Sequence, residues 1–236
     1  MAIPFFYIES ILPETSSVIL NEDTSKHIVQ VLRMENGETI QVTDGKGNLF
    51  TAEITDSNRK KCEVQIVETT NHKQPAPNIT IAISLIKNNS RFEWFLEKAT
   101  EIGVTEIIPL ICNRTEKQTV KPDRMKGILV SAMLQSQQCW LPVLHDAVRF
   151  GDLMMRRFDD SSKFIAHCED DETKVQLNHQ IIKLPNQLIC IGPEGDFTPA
   201  EIEEAMQHHF IPVALGNTRL RTETAGVVAA ALLANL

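Results

Sequence analysis

No run of about 18 apolar residues occurs anywhere in the sequence, so no helix is expected to cross a membrane. The opening "MAIPFFYIES" lacks the basic start and apolar stretch of a secretory signal, which sets the expectation of a cytoplasmic protein. Cysteine is sparse: Cys62, Cys112, Cys139, Cys168 and Cys190 form no C-x-x-C pair and no even framework, as expected of reduced thiols. Phosphate-cradling signatures are missing too. No G-x-G-x-x-G follows a strand, no G-x-x-x-x-G-K-[ST] occurs, and "GKGNLF" sits in a hairpin signal instead. His208-His209 and His167-x-Glu169 have no cysteines or second acid cluster at ligand spacing, so no metal is expected and these histidines read as structural or exposed. A positive balance is also lacking. The net charge of −8 argues against polyanion binding by the whole surface.

What is present is enough apolar residue, 42% of the chain, for one large core or two small ones. Residues 1–70 read as short strands with turn punctuation: "ETIQVTD" alternates, "DGKGN" marks a hairpin, and "NLFTAEIT" and "KCEVQIVE" continue the pattern. One helix is predicted there, Ser25 to Arg33, with Ile28, Val31 and Leu32 on one face and Thr24 or Ser25 as cap. These elements suggest a small barrel-like module. Residues 71–78 carry two prolines and no periodicity and are expected to be a linker. From 79 to 236 strands alternate with helices: "NITIAISLI", the helix "RFEWFLEKATEIG" with Phe92, Phe95, Leu96 and Ala99 on one side, "VTEIIPLI", and later pairs ending in a helix over 222–234. The alternation predicts an α/β domain with a largely parallel sheet.

In such sheets ligands bind beyond the carboxyl ends of strands. Three strand ends are unusual: "FIAHCEDDETK" (164–174), "CIGPEGDF" (190–197) and "ALGNTRLRTETAG" (214–226). Gly192 and Gly195 allow close backbone approach, Pro193 stiffens the turn, and Thr198 with Glu201 forms a capping box ahead of Pro199. In the third loop, Thr222 or Thr224 is expected to cap the last helix. Loops of this composition suit a ligand held by backbone groups, such as an adenine nucleoside; a plain strand-to-helix connection is the alternative. Basic residues also cluster locally: Arg114, Lys117, Lys121, Arg124 and Lys126 stand against only Glu116 and Asp123.

"IGPEGDF" followed by "LGNTRLRTETA" closely resembles the paired C-terminal motifs of the SPOUT methyltransferases, in particular the ribosomal RNA small-subunit methyltransferase E family. "SLIKNNSRFEWFLEKATEIGVTEIIPL", "NRTEKQ", "AMLQSQQCWLPVL" and, near the N-terminus, "HIVQVLRMENGETIQVTDGKGNLFTAEI" are similar to further segments of that family, so the resemblance covers nearly the whole chain. It implies a PUA-like β-barrel at 1–70, a linker at 71–78, and a SPOUT α/β domain at 79–236 whose C-terminal segment is threaded into a trefoil knot, a rare exception to unknotted topology. It also implies a homodimer that methylates N3 of a uridine in 16S rRNA of the small ribosomal subunit, with S-adenosylmethionine as cofactor and no metal. Two alternatives stay open: a SPOUT enzyme acting on ribose 2′-oxygen or another RNA, and an RNA-binding protein that transfers no methyl group.

The resemblance places the cofactor against His167, Gly192, Gly195, Leu215, Gly216, Leu220 and Ala225. Arg221 is the candidate to stabilise negative charge on a uracil oxygen, with a phosphate clamp or an ion pair to Glu223 as the alternatives. Glu194 is the candidate proton acceptor, or else a ligand for loop amides. Lys26, Arg33, Lys87, Arg91 and Arg114 are the candidate RNA contacts. The chain departs from the family pattern in several places, among them "MAIPFF", which lacks the basic residue common near the N-terminus. Asp196 stands where glycine is usual, Thr218 and Arg219 replace an arginine and an aliphatic residue, and Gln138 replaces an arginine.

Overall fold

A computed structural model describes residues 3–116, 119, 121–158, 160–169, 174–179 and 184–235; Lys117 of the basic run lies outside them. The chain forms two compact units, Met1–Gln74 with Met133–Leu141, and Pro75–Ala132 with Pro142–Leu236.

The first unit holds β1 (Phe5–Tyr7), β2 (Ser17–Ile19), α1 (Glu22–Lys26), β3 (Thr39–Thr43), β4 (Asn48–Asp56) and β5 (Glu63–Asn71). Its sheet runs β1-β3-β4-β5-β2, antiparallel except for the β1–β3 pair. Alternation places Ile40, Val42, Phe50, Ala52, Ile54 and Val64 in one buried core. The helix differs from its sequence prediction. It starts three residues earlier, capped by Asn21, whose side chain accepts from the Thr24 amide at 2.8 Å. Ser25 is buried; its hydroxyl donates to Leu20 O and accepts from Cys62 N. The following turn, His27–Val31, is π-helical. The wider turn carries the chain off the 3.6-residue period, so Ile28 stays buried while Val31 is 66% exposed.

The short return segment 133–141 completes this unit. Gly47 N donates to Cys139 O at 2.9 Å, Leu141 N to Gly45 O at 2.9 Å, and the Trp140 indole N–H to the His72 and Lys73 carbonyls at 3.1 Å each. Gly47, at φ 92°, lies so close to Trp140 that a Cβ there would sit 2.5 Å from the indole ring. Sequence pattern alone assigned these residues to the second domain. Their partners are more than sixty residues away in the chain, beyond the reach of any local period.

The second unit holds β6 (Asn78–Ser84), α2 (Asn89–Ile102), β7 (Glu106–Ile111), α3 (Pro122–Gln135, its end in the return segment), β8 (Val143–Leu144), β9 (Val148–Arg149) and α4 (Phe150–Met154). It continues with β10 (Ser161–Ala166), β11 (Val175–Gln176), β12 (Asn186–Ile191), α5 (Pro199–Gln207), β13 (Ile211–Ala214) and α6 (Thr222–Leu233). The sheet order is β11-β13-β10-β12-β6-β7-β8, with β9 also on β7, and every pair is parallel. Central strands β6 and β12 are buried on both faces, which is why they read as continuous apolar runs rather than as alternation. Ala82, Leu188 and Cys190 point to one side, into a cluster with Phe150, Leu153, Phe197, Ile202 and Ala205. Ile83 points the other way, to α6, where a Cβ on Gly226 would meet its side chain at 2.8 Å and Phe95 of α2 at 2.6 Å. On α2, Phe92, Phe95, Leu96 and Ala99 are all buried, Asn88 caps the start, and Gly103 ends the helix at φ 98°.

Candidate functional site

The carboxyl ends of the neighbouring strands β10 and β12 and the segment before α6 converge on a cavity of about 300 Å³. Its walls are Ala166, Ile191, Gly192, Pro193, Leu220 and Ala225, all uncharged; Glu194, Asp196, Arg219 and Arg221 bring charge, and Cys168 and Thr222 complete the lining. Such a volume is at the lower end of the roughly 300–1,000 Å³ typical of small-molecule sites, and the mix of apolar walls with a few polar groups is usual there.

Three connections hold the loops together. The Thr222 hydroxyl donates to Gly192 O at 3.0 Å, so the residue expected to cap α6 instead ties the last helix to the glycine turn. The Asp196 carboxylate accepts from Cys168 N at 2.7 Å and Phe197 N at 2.9 Å, joining the loop after β10 to the loop after β12. The Arg114 guanidinium donates to Gly195 O at 2.6 Å and Phe197 O at 3.3 Å from below the turn. The capping box forms as the sequence predicts, with Glu201 N to the Thr198 hydroxyl and Thr198 N to Glu201 Oε2, and the second oxygen of Glu201 accepts from Asn113 N at 2.8 Å.

The left-handed residue of the turn is Asp196, at φ 64°, and neither Gly192 nor Gly195 has a positive φ. Aspartate tolerates this conformation better than most residues and here receives two amide bonds in it. The glycines matter through space instead. A Cβ on Gly192 would lie 3.1 Å from the Phe197 ring, and one on Gly195 would lie 3.3 Å from the Arg114 stem.

Of the predicted cofactor residues, Gly192, Leu220 and Ala225 line the cavity, as do both predicted catalytic residues, Arg221 and Glu194. Gly195, Leu215 and Gly216 do not. Nor does His167: alternation past β10 turns it away from the side of Ala166 and Cys168, and its buried ring lines a separate depression with Ile202 and Met206. Arg221 is exposed and makes no ion pair among the described residues; Glu223, weighed as its partner, is buried and faces Arg91 at 3.6 Å. The predicted RNA contacts fall in both units. Lys26 pairs with Glu22 on α1, Arg33 is exposed at φ 57°, Lys87 pairs with Glu116 at 2.8 Å, and Arg114 braces the turn. The hydrogen bond from Lys87 to Glu116 raises the lysine pKa.

Sequence reading missed Cys168, Asp196 and Arg219 as cavity residues. An aspartate at the last turn position, between two glycines and a helix cap, is the signal that could have found Asp196. Partial burial, with the Asp196 carboxylate, pushes the Cys168 thiol above its ordinary value, opposed by Arg219 and Lys174. The other four cysteines are buried, and burial pushes Cys112 up to about 12. Cys168 is therefore expected to be the first thiol alkylated by iodoacetamide. S-adenosylmethionine should slow that reaction severalfold if it occupies this cavity; an unchanged rate, followed by peptide mass spectrometry, would remove Cys168 from the occupied site.

The RNA methyltransferase domain family matches residues 72–234, and the RNA methyltransferase PUA domain family matches residues 20–67. The chain belongs to the RNA methyltransferase family. As an RNA methyltransferase it is similar to Ribosomal RNA small subunit methyltransferase E of Synechocystis, at 31% identity over 92% of this chain and 72% of the relative. The namesake from Rickettsia conorii is 27% identical over 95% and 92% of the two chains. Among solved structures, a probable rRNA-methyltransferase from Porphyromonas gingivalis superposes with a TM-score of 0.91 at 35% identity, covering 99% of this chain and 98% of that one. A Ribosomal RNA small subunit methyltransferase E from Neisseria gonorrhoeae bound to S-adenosyl methionine gives 0.88 at 28% identity, with coverages of 99% and 98%. For this RNA methyltransferase the PUA match falls within the first unit and the methyltransferase match contains the cavity.

Proposed function

We propose that this RNA methyltransferase uses S-adenosylmethionine to methylate N3 of a uridine in 16S rRNA of the small ribosomal subunit. The observation that carries the reading is the cavity built from "IGPEGDF" and "LRTETA", in a chain alike over nearly its full length to a small-subunit methyltransferase E solved with that cofactor. The residues fit the cofactor: Ile191, Leu220 and Ala225 offer apolar walls, the backbone at Gly192 and Pro193 approaches without obstruction, and Asp196 and Glu194 put negative charge near a cationic ligand. S-adenosylmethionine supplies an electrophilic methyl group on a sulfonium centre.

The chain's own residues have two tasks. They hold the target ring edge-on to that methyl group, a gain of orientation rather than of new chemistry. They also make N3 nucleophilic, which requires its proton to leave and the resulting charge on the uracil oxygens to be stabilised. Arg221, which lines the cavity, serves the second need as a cation. Glu194 lines the same cavity, is exposed, and is the carboxylate available to accept the proton. Residues Lys87 and Arg91 follow β6 and begin α2 in the same unit, and in this reading contact the RNA backbone.

A homodimer, a C-terminal trefoil knot and a cytoplasmic location belong to the same reading. Helix α6 supports the dimer: past its first turn it is apolar all round, yet Val227, Val228, Ala231 and Leu232 remain partly exposed, as expected of a helix that meets a second copy. Incubation with S-adenosylmethionine and unmodified small subunits, followed by nucleoside mass spectrometry, is expected to yield 3-methyluridine. A 2′-O-methylated nucleoside, or none, would overturn the assignment.

A further inference from the structure

A second concavity, of about 210 Å³, opens between the residues after β6, the start of α2 and the start of α3. Its floor is apolar: Leu85, Ile86, Phe92 and Met125 are all buried. Its rim carries Lys121 and Arg124. Arg124 is held by two bonds to Glu93, Nε to Oε1 at 2.5 Å and Nη2 to Oε2 at 2.8 Å, which fixes the plane of an otherwise exposed guanidinium. The groove is smaller than the roughly 300–1,000 Å³ of sites that enclose a drug-sized ligand, so it has room for one planar ring rather than a second cofactor. Apolar floor, planar guanidinium and nearby ammonium are the parts with which proteins hold an unstacked base and the phosphate attached to it.

Lys87 directly follows the floor residue Ile86, pairs with Glu116, and is close enough to the cavity carboxylate Glu194 to feel its charge. Arg114, Lys121, Arg124 and Lys126 make this the basic stretch of a protein whose net charge is −8. From the apolar floor, the held guanidinium and this local charge we infer that the groove binds a second nucleotide of the same RNA strand, a flanking base splayed out of its stack while the target uridine occupies the first cavity. The inference rests on the rRNA methyltransferase reading above.

The test uses the full chain and small ribosomal subunits reconstituted with 4-thiouridine and 6-thioguanosine in the rRNA, irradiated in the presence of the protein. Expected are cross-links from nucleotides close to the methylated uridine to peptides containing residues 85–93 or 121–126. Asn89→Trp, which puts an indole into the groove, should deplete those cross-links and weaken subunit binding by roughly ten- to hundredfold, the range of one stacked base. The loss should fall on KM rather than kcat, with the dissociation constant for S-adenosylmethionine unchanged. Lys121→Glu should act in the same direction without any change in packing. Cross-links confined to other peptides, or an unaltered KM in both variants, would overturn the inference while 3-methyluridine continues to form. So would a dimer that Asn89→Trp splits into monomers on sedimentation, since the groove would then belong to a second copy. If the unaltered protein forms no 3-methyluridine, the proposed function fails first and the groove's role with it.

Discussion

Arg221→Ala is expected to slow methyl transfer by about 10²–10³-fold, the usual cost of removing one group that stabilises developing negative charge. The residue precedes α6, lines the cavity and is exposed. Its side chain makes no capping bond and no ion pair among the described residues, so truncation removes no such support from the fold. The melting temperature should accordingly stay within a degree or two. Single-turnover methylation of small subunits reads the effect. A fall in rate at saturating subunit is the signature of charge stabilisation at the ring. A rise in KM with the saturated rate intact would make Arg221 a phosphate clamp instead. Arg221→Lys keeps the charge and loses the planar fork, and should recover only part of the rate.

Gly226→Leu should produce a large loss of stability. A Cβ at this position already meets the Phe95 ring at 2.6 Å and the Ile83 side chain at 2.8 Å, and both neighbours are completely buried. A leucine adds three more carbons to that contact. Overpacking of this kind costs about 1–3 kcal/mol and sometimes more; at about 3 kcal/mol the melting temperature falls by roughly 6–12 °C for a chain of this size. Gly226→Ala is milder, because the gain in helix propensity of about 1 kcal/mol offsets part of the clash. The displacement would also reach the site, since Thr222 on the same helix holds the Gly192 carbonyl. Gly226→Leu is therefore expected to weaken S-adenosylmethionine binding as well as to melt earlier. Differential scanning calorimetry with and without the cofactor measures both, and an unchanged melting temperature would mean that α2 and α6 can part at no cost.

Where one residue's surroundings are local, the sequence read well. Thr198, Pro199 and Glu201 announce the start of α5, and the spacing of Phe92, Phe95, Leu96 and Ala99 announces the buried face of α2. Both signals lie within one or two helical turns. The predictions that changed depend on partners far away in the chain. Thr222 looks like a cap by position, yet its hydroxyl goes thirty residues back to Gly192. Asp196, which stands where the family pattern has glycine, takes the left-handed geometry of the turn, and its carboxylate there accepts from Cys168 N, twenty-eight residues back. His167 sits between two cavity residues, and the pleat sends it to the other side. The first helix was misplaced for a different reason: a π-turn has no signature in a 3.6-residue period, and Val31 and Leu32 only look like core.

The return segment sets an order of events during synthesis. When the ribosome has made residue 74, the first unit still lacks Cys139 and Trp140, so the Gly47 amide and the His72 and Lys73 carbonyls wait for partners. Residues 75–132 must emerge before those partners do. The N-terminal unit, although first in the sequence, therefore closes only after the opening strands and α2 of the second unit have left the exit tunnel. A fragment cut at residue 74 repeats that unfinished state permanently.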